Sequence, residues 1–216
     1  DVRNEVVIAT KVGNRWVDGS SWTWDASPEH IRSAVDKSLT RLGVDVIDLY
    51  QLHGGTLEDP IDDVIATFED LKQQGKIRYY GISSIRPNVI REYVSKANLT
   101  SVMLQYSLLD RRPEETVLDL LAENTIGVIA RGPVAKGLLS ERDDDKLAQL
   151  RQGYLAHDTA SIHHVRETLQ ACSTQQRNAS QTALKFVLEH PAITIAIPGA
   201  SNLAQLQNNI AASDAP

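Results

Sequence analysis

The chain has 216 residues, and its 22 Lys plus Arg against 28 Asp plus Glu give a formal net charge of −6, a balance that argues against a phosphate-binding nucleic-acid surface. Its 42% hydrophobic residues suffice for one large α/β domain spanning residues 1–216, and no apolar stretch approaches the ~20 residues of a membrane span. The lone Cys172 excludes an internal disulfide and any cysteine-based zinc cluster; with no signal-peptide pattern at the start, a soluble protein of the cytoplasm is the expectation.

Val6 to Lys11 is an apolar run of the kind found in fully buried parallel strands. Val12 to Asp25 carries Gly13, Trp16, Gly19, Trp22 and Trp24 without a period, and is expected to be a long loop leaving the strand's C-terminal end. Ser27-Pro28-Glu29 is a helix start, with a capping hydroxyl, a proline at the first helical position and an acid for the dipole. Ile31, Val35, Leu39 and Leu42 then share one face, and Gly43 ends the helix.

The same grammar repeats. Val46 to Leu52 reads as a buried strand ending at His53, before Gly54 and Gly55. Ile61, Val64, Ile65, Phe68 and Leu71 follow Pro60 at helical spacing, and Gly75 stops that helix. Tyr79–Ser83 is a strand, Pro87 opens a helix with Val89, Ile90, Tyr93 and Val94 inward, and Val102–Gln105 is the next strand. Val117, Leu120 and Leu121 mark a short helix, and Gly127–Ala130 a strand. A mixed stretch, Arg131 to Gln176, includes the charge run Glu141–Lys146, read as a solvated loop or helix start. Ser180 is expected to cap a helix through Leu188, Ile193–Ile197 is a strand, and Asn202 starts a helix bearing Leu203, Leu206 and Ile210.

Strands alternating with amphipathic helices predict a parallel sheet. An open doubly wound sheet and a (β/α)8 TIM barrel with roughly six of its eight units compete. No G-x-G-x-x-G follows a strand, as a dinucleotide-binding open sheet would require. Polar residues end nearly every strand: Lys11, His53, Ser83 with Ser84, Gln105 and Arg131. A barrel gathers all its strand ends at one mouth, so the barrel is the reading adopted.

Several runs, in this order, make the chain resemble an aldo-keto reductase. They are Val7-Ile-Ala-Thr-Lys11, Asp48-Leu-Tyr-Gln-Leu-His53, Gly75-Lys-Ile-Arg-Tyr-Tyr-Gly-Ile-Ser83, Gln105-Tyr106, Gly137-Leu-Leu139, and Ile197-Pro-Gly-Ala-Ser201 with Gln205 and Asn209. The resemblance implies a (β/α)8 barrel that reduces aldehydes or ketones to alcohols with NADPH, NADH being the possible substitute. Family members carry a hairpin and two further βα units ahead of the lysine strand, supplying a proton-donating tyrosine and an aspartate that pairs with the lysine. Only ten residues precede Lys11, so these have no counterpart in residues 1–216, and the tail beyond Pro216 that shapes the family's substrate pocket has none either. By this reading residues 1–216 alone would reduce carbonyls negligibly.

The resemblance also assigns roles. Lys11 would lower the pKa of the tyrosine, where a lysine snorkelling from a strand end is the alternative. His53 would hydrogen-bond and orient the substrate oxygen, where a capping histidine beside two glycines is the alternative. Ser83, Ser84 and Gln105 would hold the nicotinamide carboxamide, although serines before Pro87 are also common turn residues. Arg131 stands where many members stack an aromatic ring on the nicotinamide. Gly132, Pro133, Gly137 and Leu139 would surround the pyrophosphate. Gly199, Ser201, Gln205 and Asn209 would take the adenosine end; many members have Lys and Arg where this chain has Gly199 and Gln205, which weakens the expected grip on a 2′-phosphate.

The adjacent His163 and His164 lack a third ligand of suitable spacing, so no metal is expected. The expected partners are a small-molecule carbonyl substrate, no nucleic acid and no membrane, with the protein a monomer or weak homo-oligomer. Two other readings stay open: a cofactor-binding, non-catalytic subunit of the same fold, and an inactive fragment.

Overall fold

A computed structural model describes residues 2–17, 19, 21–140 and 153–215. The charge run Glu141–Lys146 lies outside the described residues. The chain divides into two compact units, Asp1–Met103 with Glu123–Ile126, and Leu104–Ala122 with Gly127–Pro216.

In the first unit, strand β1 (Ala9–Val12) leads into a hairpin, β2 (Asn14–Val17) and β3 (Ser21–Trp24). Helix α1 (Pro28–Leu42), strand β4 (Ile47–His53), helix α2 (Ile61–Gln73), strand β5 (Ile77–Ser83) and helix α3 (Pro87–Lys96) follow, and strand β6 (Ser101–Gln105) runs through the division between the units. β1 pairs with β4, β4 with β5, and β5 with β6, all parallel. The Ser27 hydroxyl accepts from the His30 N–H, and Gly43, at φ 64°, takes the left-handed C-cap that favours a residue without a Cβ.

The core of this unit follows the alternation of the strands. Tyr50 and Leu52 of β4 point to the helical layer, where the rings of Tyr50, Phe68 and Tyr80 lie at centroid spacings of 5.7 and 5.3 Å. Val64, Leu71, Val89 and Ile90 complete the packing. At the other end of β4 the buried Asp48 accepts the Ile8 N–H at 2.8 Å and pairs with Arg3 at 2.9 Å and Arg78 at 2.7 Å. Burial alone would raise its carboxyl, but the Ile8 amide and the two guanidiniums outweigh that and hold it below the ordinary carboxylate range.

Two expectations are corrected here. Val12 to Asp25 is mostly a hairpin, not a loop, with Trp16 opposite Trp22 at a ring spacing of 4.5 Å. It shows no in–out alternation because Trp16 and Trp22 stay largely exposed and neither packs into a core. The start of the first strand is not buried: Val6 is 50% and Val7 77% exposed, ahead of the first residue of β1.

The second unit holds helices α4 (Arg112–Thr116) and α5 (Leu118–Glu123, its last residue in the first unit), strand β7 (Gly127–Arg131), a 3-10 turn at Ala135–Gly137, helices α6 (Thr159–Ala171) and α7 (Ala179–Leu188), strand β8 (Ile193–Ile197) and helix α8 (Leu203–Ala211). β7 and β8 pair in parallel. Leu109, Leu138, Leu139, Tyr154, Ile162 and Leu169 form its apolar cluster. Asn178, not Ser180, caps α7: its side chain accepts from the Gln181 N–H while the Gln181 side chain accepts from the Asn178 N–H.

Candidate active site

Lys11 and His53 end neighbouring parallel strands. Lys11 lies opposite Gln51, and the two-residue alternation of β4 puts Gln51 and His53 on one face, away from Tyr50 and Leu52. Ser83 of β5 lies opposite His53. One face of one strand-end row thus carries Lys11, Gln51, His53 and Ser83. The row is drawn tight at Gly81, where an added Cβ would collide with the Ser101 carbonyl oxygen. That gap lets the fully buried Gln51 reach across β5, its Nε2 donating to Ser101 Oγ at 3.3 Å.

Lys11 is half-buried and His53 exposed. The turn after His53 is fastened from three sides. Gly54 N–H donates to the Ser83 carbonyl at 2.8 Å, Arg86 donates to the Gly55 carbonyl, and the Trp24 ring covers Gly54 and Gly13 so closely that Gly13 admits no side chain. Trp24 is itself held by its Nε1 donating to Asp59 Oδ1 at 2.9 Å, and the other Asp59 oxygen takes the Thr56 N–H at 2.7 Å. Asn14, the first residue of the hairpin, brings its side-chain Nδ2 to 3.3 Å from His53 Nδ1. Ser83 and Ser84 are both buried; the Ser84 hydroxyl accepts the Arg86 N–H at 3.2 Å, so it serves the turn as well.

In the second unit, Gln105 is locked at both ends of its amide. Arg131 Nη1 donates to its Oε1 at 3.0 Å, and its Nε2 donates to the Tyr154 hydroxyl at 3.1 Å. Burial raises the Tyr154 phenol, and the nearby Asp110 adds to that, so it remains a neutral hydroxyl.

The same unit contains a cavity of about 710 Å³. Gly132, Pro133, Val134, Lys136 and Gly137 line one wall, and Gly199, Ala200, Ser201, Gln205 and Asn209 another, with Asn178, Ser180 and Asn208 between. Leu139 lines a smaller neighbouring cavity of about 280 Å³ with Arg166. Gly132 at φ 64° and Gly137 at φ 90° let the loop after β7 coil in the left-handed region. Gln205 Oε1 accepts the Ser201 N–H at 2.7 Å and Asn209 Nδ2 donates to the Gly199 carbonyl at 3.3 Å, so both side chains hold the 199–201 loop against the start of α8. Asn208 joins α8 to α7 through Asn178 at 2.6 Å and Ser180 at 2.8 Å.

This cavity suits a phosphate-bearing dinucleotide. It is large, glycine-lined at its loops, borders the N-terminus of α8 with its positive dipole end, and carries the Lys136 ammonium. Among the residues of these arrangements that escape the sequence reading are Asn14, Lys136, Tyr154 and Asn208. Lys136 sits inside the Gly132–Gly137 run and was open to notice; the other three depend on contacts with residues 27 to 49 positions away.

The sequence pattern of the Aldo/keto reductase family matches residues 1–216. The chain belongs to the aldo/keto reductase family. It is 52% identical over 216 residues to an uncharacterized oxidoreductase of Bacillus subtilis, covering 99% of this chain and 70% of that protein. It is 31% identical to the NADH-specific methylglyoxal reductase of Escherichia coli, over 97% of this chain and 70% of the relative. The holo form of an aldo-keto reductase from Bacillus halodurans superimposes with a TM-score of 0.88 at 46% identity, covering 99% of this chain and 69% of that one. The fold is accordingly that of the aldo-keto reductase (β/α)8 barrel, of which the described residues carry six strand–helix repeats. Family membership places the protein among the NAD(P)H-dependent oxidoreductases that act on carbonyl groups, and its cofactor is a nicotinamide dinucleotide. Among the described residues no helix is long and apolar enough to cross a membrane, and no group of three or more His, Cys, Asp or Glu could hold a metal ion.

Proposed function

We propose that the protein reduces aldehydes or ketones to alcohols, with NADPH preferred modestly over NADH. The observation that carries this reading is the large loop-lined cavity, whose walls include Gly132, Pro133, Gly137, Gly199, Ser201, Gln205 and Asn209. In this reading they hold the phosphates and adenosine, with Lys136 facing the charge. Ser83, Ser84, Gln105 and Arg131 hold the nicotinamide end, and Leu139 packs beneath the phosphate loop. The bound dinucleotide supplies a hydride. Lys11 supplies positive charge and His53 donates a hydrogen bond to the carbonyl oxygen, so that charge developing on that oxygen meets prearranged donors, and the oxygen takes its proton from the tyrosine that the family resemblance implies.

The modest preference follows from the neutral Gly199 and Gln205. With Lys136 as the cation on the cavity wall among its described residues, the 2′-phosphate gains on the order of tenfold, ~1.4 kcal/mol, and no more. In this reading the protein works on small carbonyl compounds in the cytoplasm as a monomer or weak homo-oligomer, apart from membrane, and its net charge of −6 speaks against a nucleic-acid partner.

Titration of the full-length polypeptide with NADPH and NADH, read by protein fluorescence, is expected to saturate with both, NADPH the tighter. Turnover of an aldehyde panel then follows. Saturable binding without turnover of any aldehyde would favour a cofactor-binding, non-catalytic subunit; binding of neither nucleotide would end the cofactor reading.

A further inference from the structure

We infer that Asn14 is a positioning residue that sets the tautomer of His53; the inference deepens the carbonyl-reductase reading and rests on it. The two side chains meet at 3.3 Å, Asn14 Nδ2 against His53 Nδ1. An amide nitrogen only donates, so Nδ1 must accept, and a neutral imidazole then carries its proton on Nε2. That is the tautomer a carbonyl oxygen needs, because only an N–H can donate to it.

The chain builds this contact with some care. Asn14 directly follows Gly13, whose φ of 123° turns the chain out of β1 and back over the end of β4. Gly13 is pinned by the Trp24 ring against its Cα and by its carbonyl accepting the Asp25 N–H at 2.8 Å. Trp24 pairs with Asn14 across the hairpin and anchors to Asp59 beyond the His53 turn. The hairpin is therefore fastened on both sides of His53, and Asn14 is the residue it presents to the ring.

The test reads the ring itself. In full-length polypeptide labelled with ¹⁵N-histidine, His53 is assigned by loss of its signals in His53→Gln, and each nitrogen is scored as protonated or bare at a pH where the ring is neutral. Wild type is expected to show a bare Nδ1 and a protonated Nε2. Asn14→Asp offers only acceptors, so the proton should move to Nδ1 and leave Nε2 unable to donate. Asn14→Leu should give a mixture. In parallel, kcat/KM for a reactive aldehyde should fall about tenfold in Asn14→Asp, the value of one neutral hydrogen bond, with NADPH affinity unchanged. A wild-type ring protonated at Nδ1, or a tautomer that Asn14→Asp does not move, overturns the assignment. If wild type turns over no aldehyde, the functional reading fails, while the ring spectrum still decides the role of Asn14.

Discussion

The candidate residues Lys11, His53 and Ser83 of the first unit stand on strands, whereas those lining the cavity of the second stand on loops and on α8. His53 and Ser83 end β4 and β5, whose residues are buried almost throughout, and Lys11 sits in register beside Gln51. Gln205 and Asn209 lie on α8, which buries no residue, and reach their places through single side-chain bonds to the 199–201 loop. A strand fixes the direction of a side chain through the whole ladder and core. A loop fixes it through individual hydrogen bonds, each worth about 1 kcal/mol. The first arrangement suits groups that must meet a reacting atom within tenths of an ångström, and the second suits a long ligand held at many points.

If that division is right, substitutions in the two regions fail differently. The largest effect is expected at the strand ends. Lys11→Met and His53→Gln should each lower kcat/KM for an aldehyde about 10²–10⁴-fold while NADPH affinity, read by fluorescence titration, stays put. A matching loss of NADPH affinity would move these residues into the cofactor half.

Next comes the scaffold of the strand row. Gly81→Ala sets a Cβ against the Ser101 carbonyl and should cost about 2–3 kcal/mol in denaturant unfolding. An unchanged midpoint would show that β5 and β6 yield locally and that the row is looser than argued.

Asp48→Asn tests the far end of the same strand. Its folded-state pKa is depressed, so its contribution is present above the unfolded carboxylate value of ~3.9 and is lost as pH falls through the lower folded value. The substitution should cost about 1–2 kcal/mol at neutral pH, discounted because the Arg78 side chain is 57% exposed, and should flatten the acid limb of the stability curve. An acid limb identical to wild type would assign the pH dependence to other carboxylates.

The smallest effect belongs to the loop region. Gln205→Ala removes the acceptor for the Ser201 N–H and should weaken NADPH about fivefold, roughly 1 kcal/mol, with almost no change in melting temperature. A large drop in melting temperature would show that the loop carries fold as well as ligand.

Much of the first unit is legible in the sequence because local and global signals agree there. Ser27, Pro28 and Gly43 bracket α1 where the sequence places its ends, and Val46 to Leu52 differs from the observed β4 by one residue at each end. The hairpin was not legible, since its Trp pair packs on itself and not on a core. Ser180 and Asn178 are both able caps, and the decision lay in Gln181 standing three residues after Asn178. The cavity-lining glycines were legible only through family resemblance. Asn14 and Tyr154 were not, because each acquires its role from a partner 39 or 49 residues away.

The most direct test of the account is a single-substrate turnover with the full-length polypeptide, NADPH and a reactive aldehyde, scoring nucleotide oxidised against alcohol formed. Equimolar oxidation and alcohol formation are expected, slowed about 10²–10⁴-fold by Lys11→Met. A folded protein that binds NADPH tightly yet leaves the aldehyde untouched would contradict it.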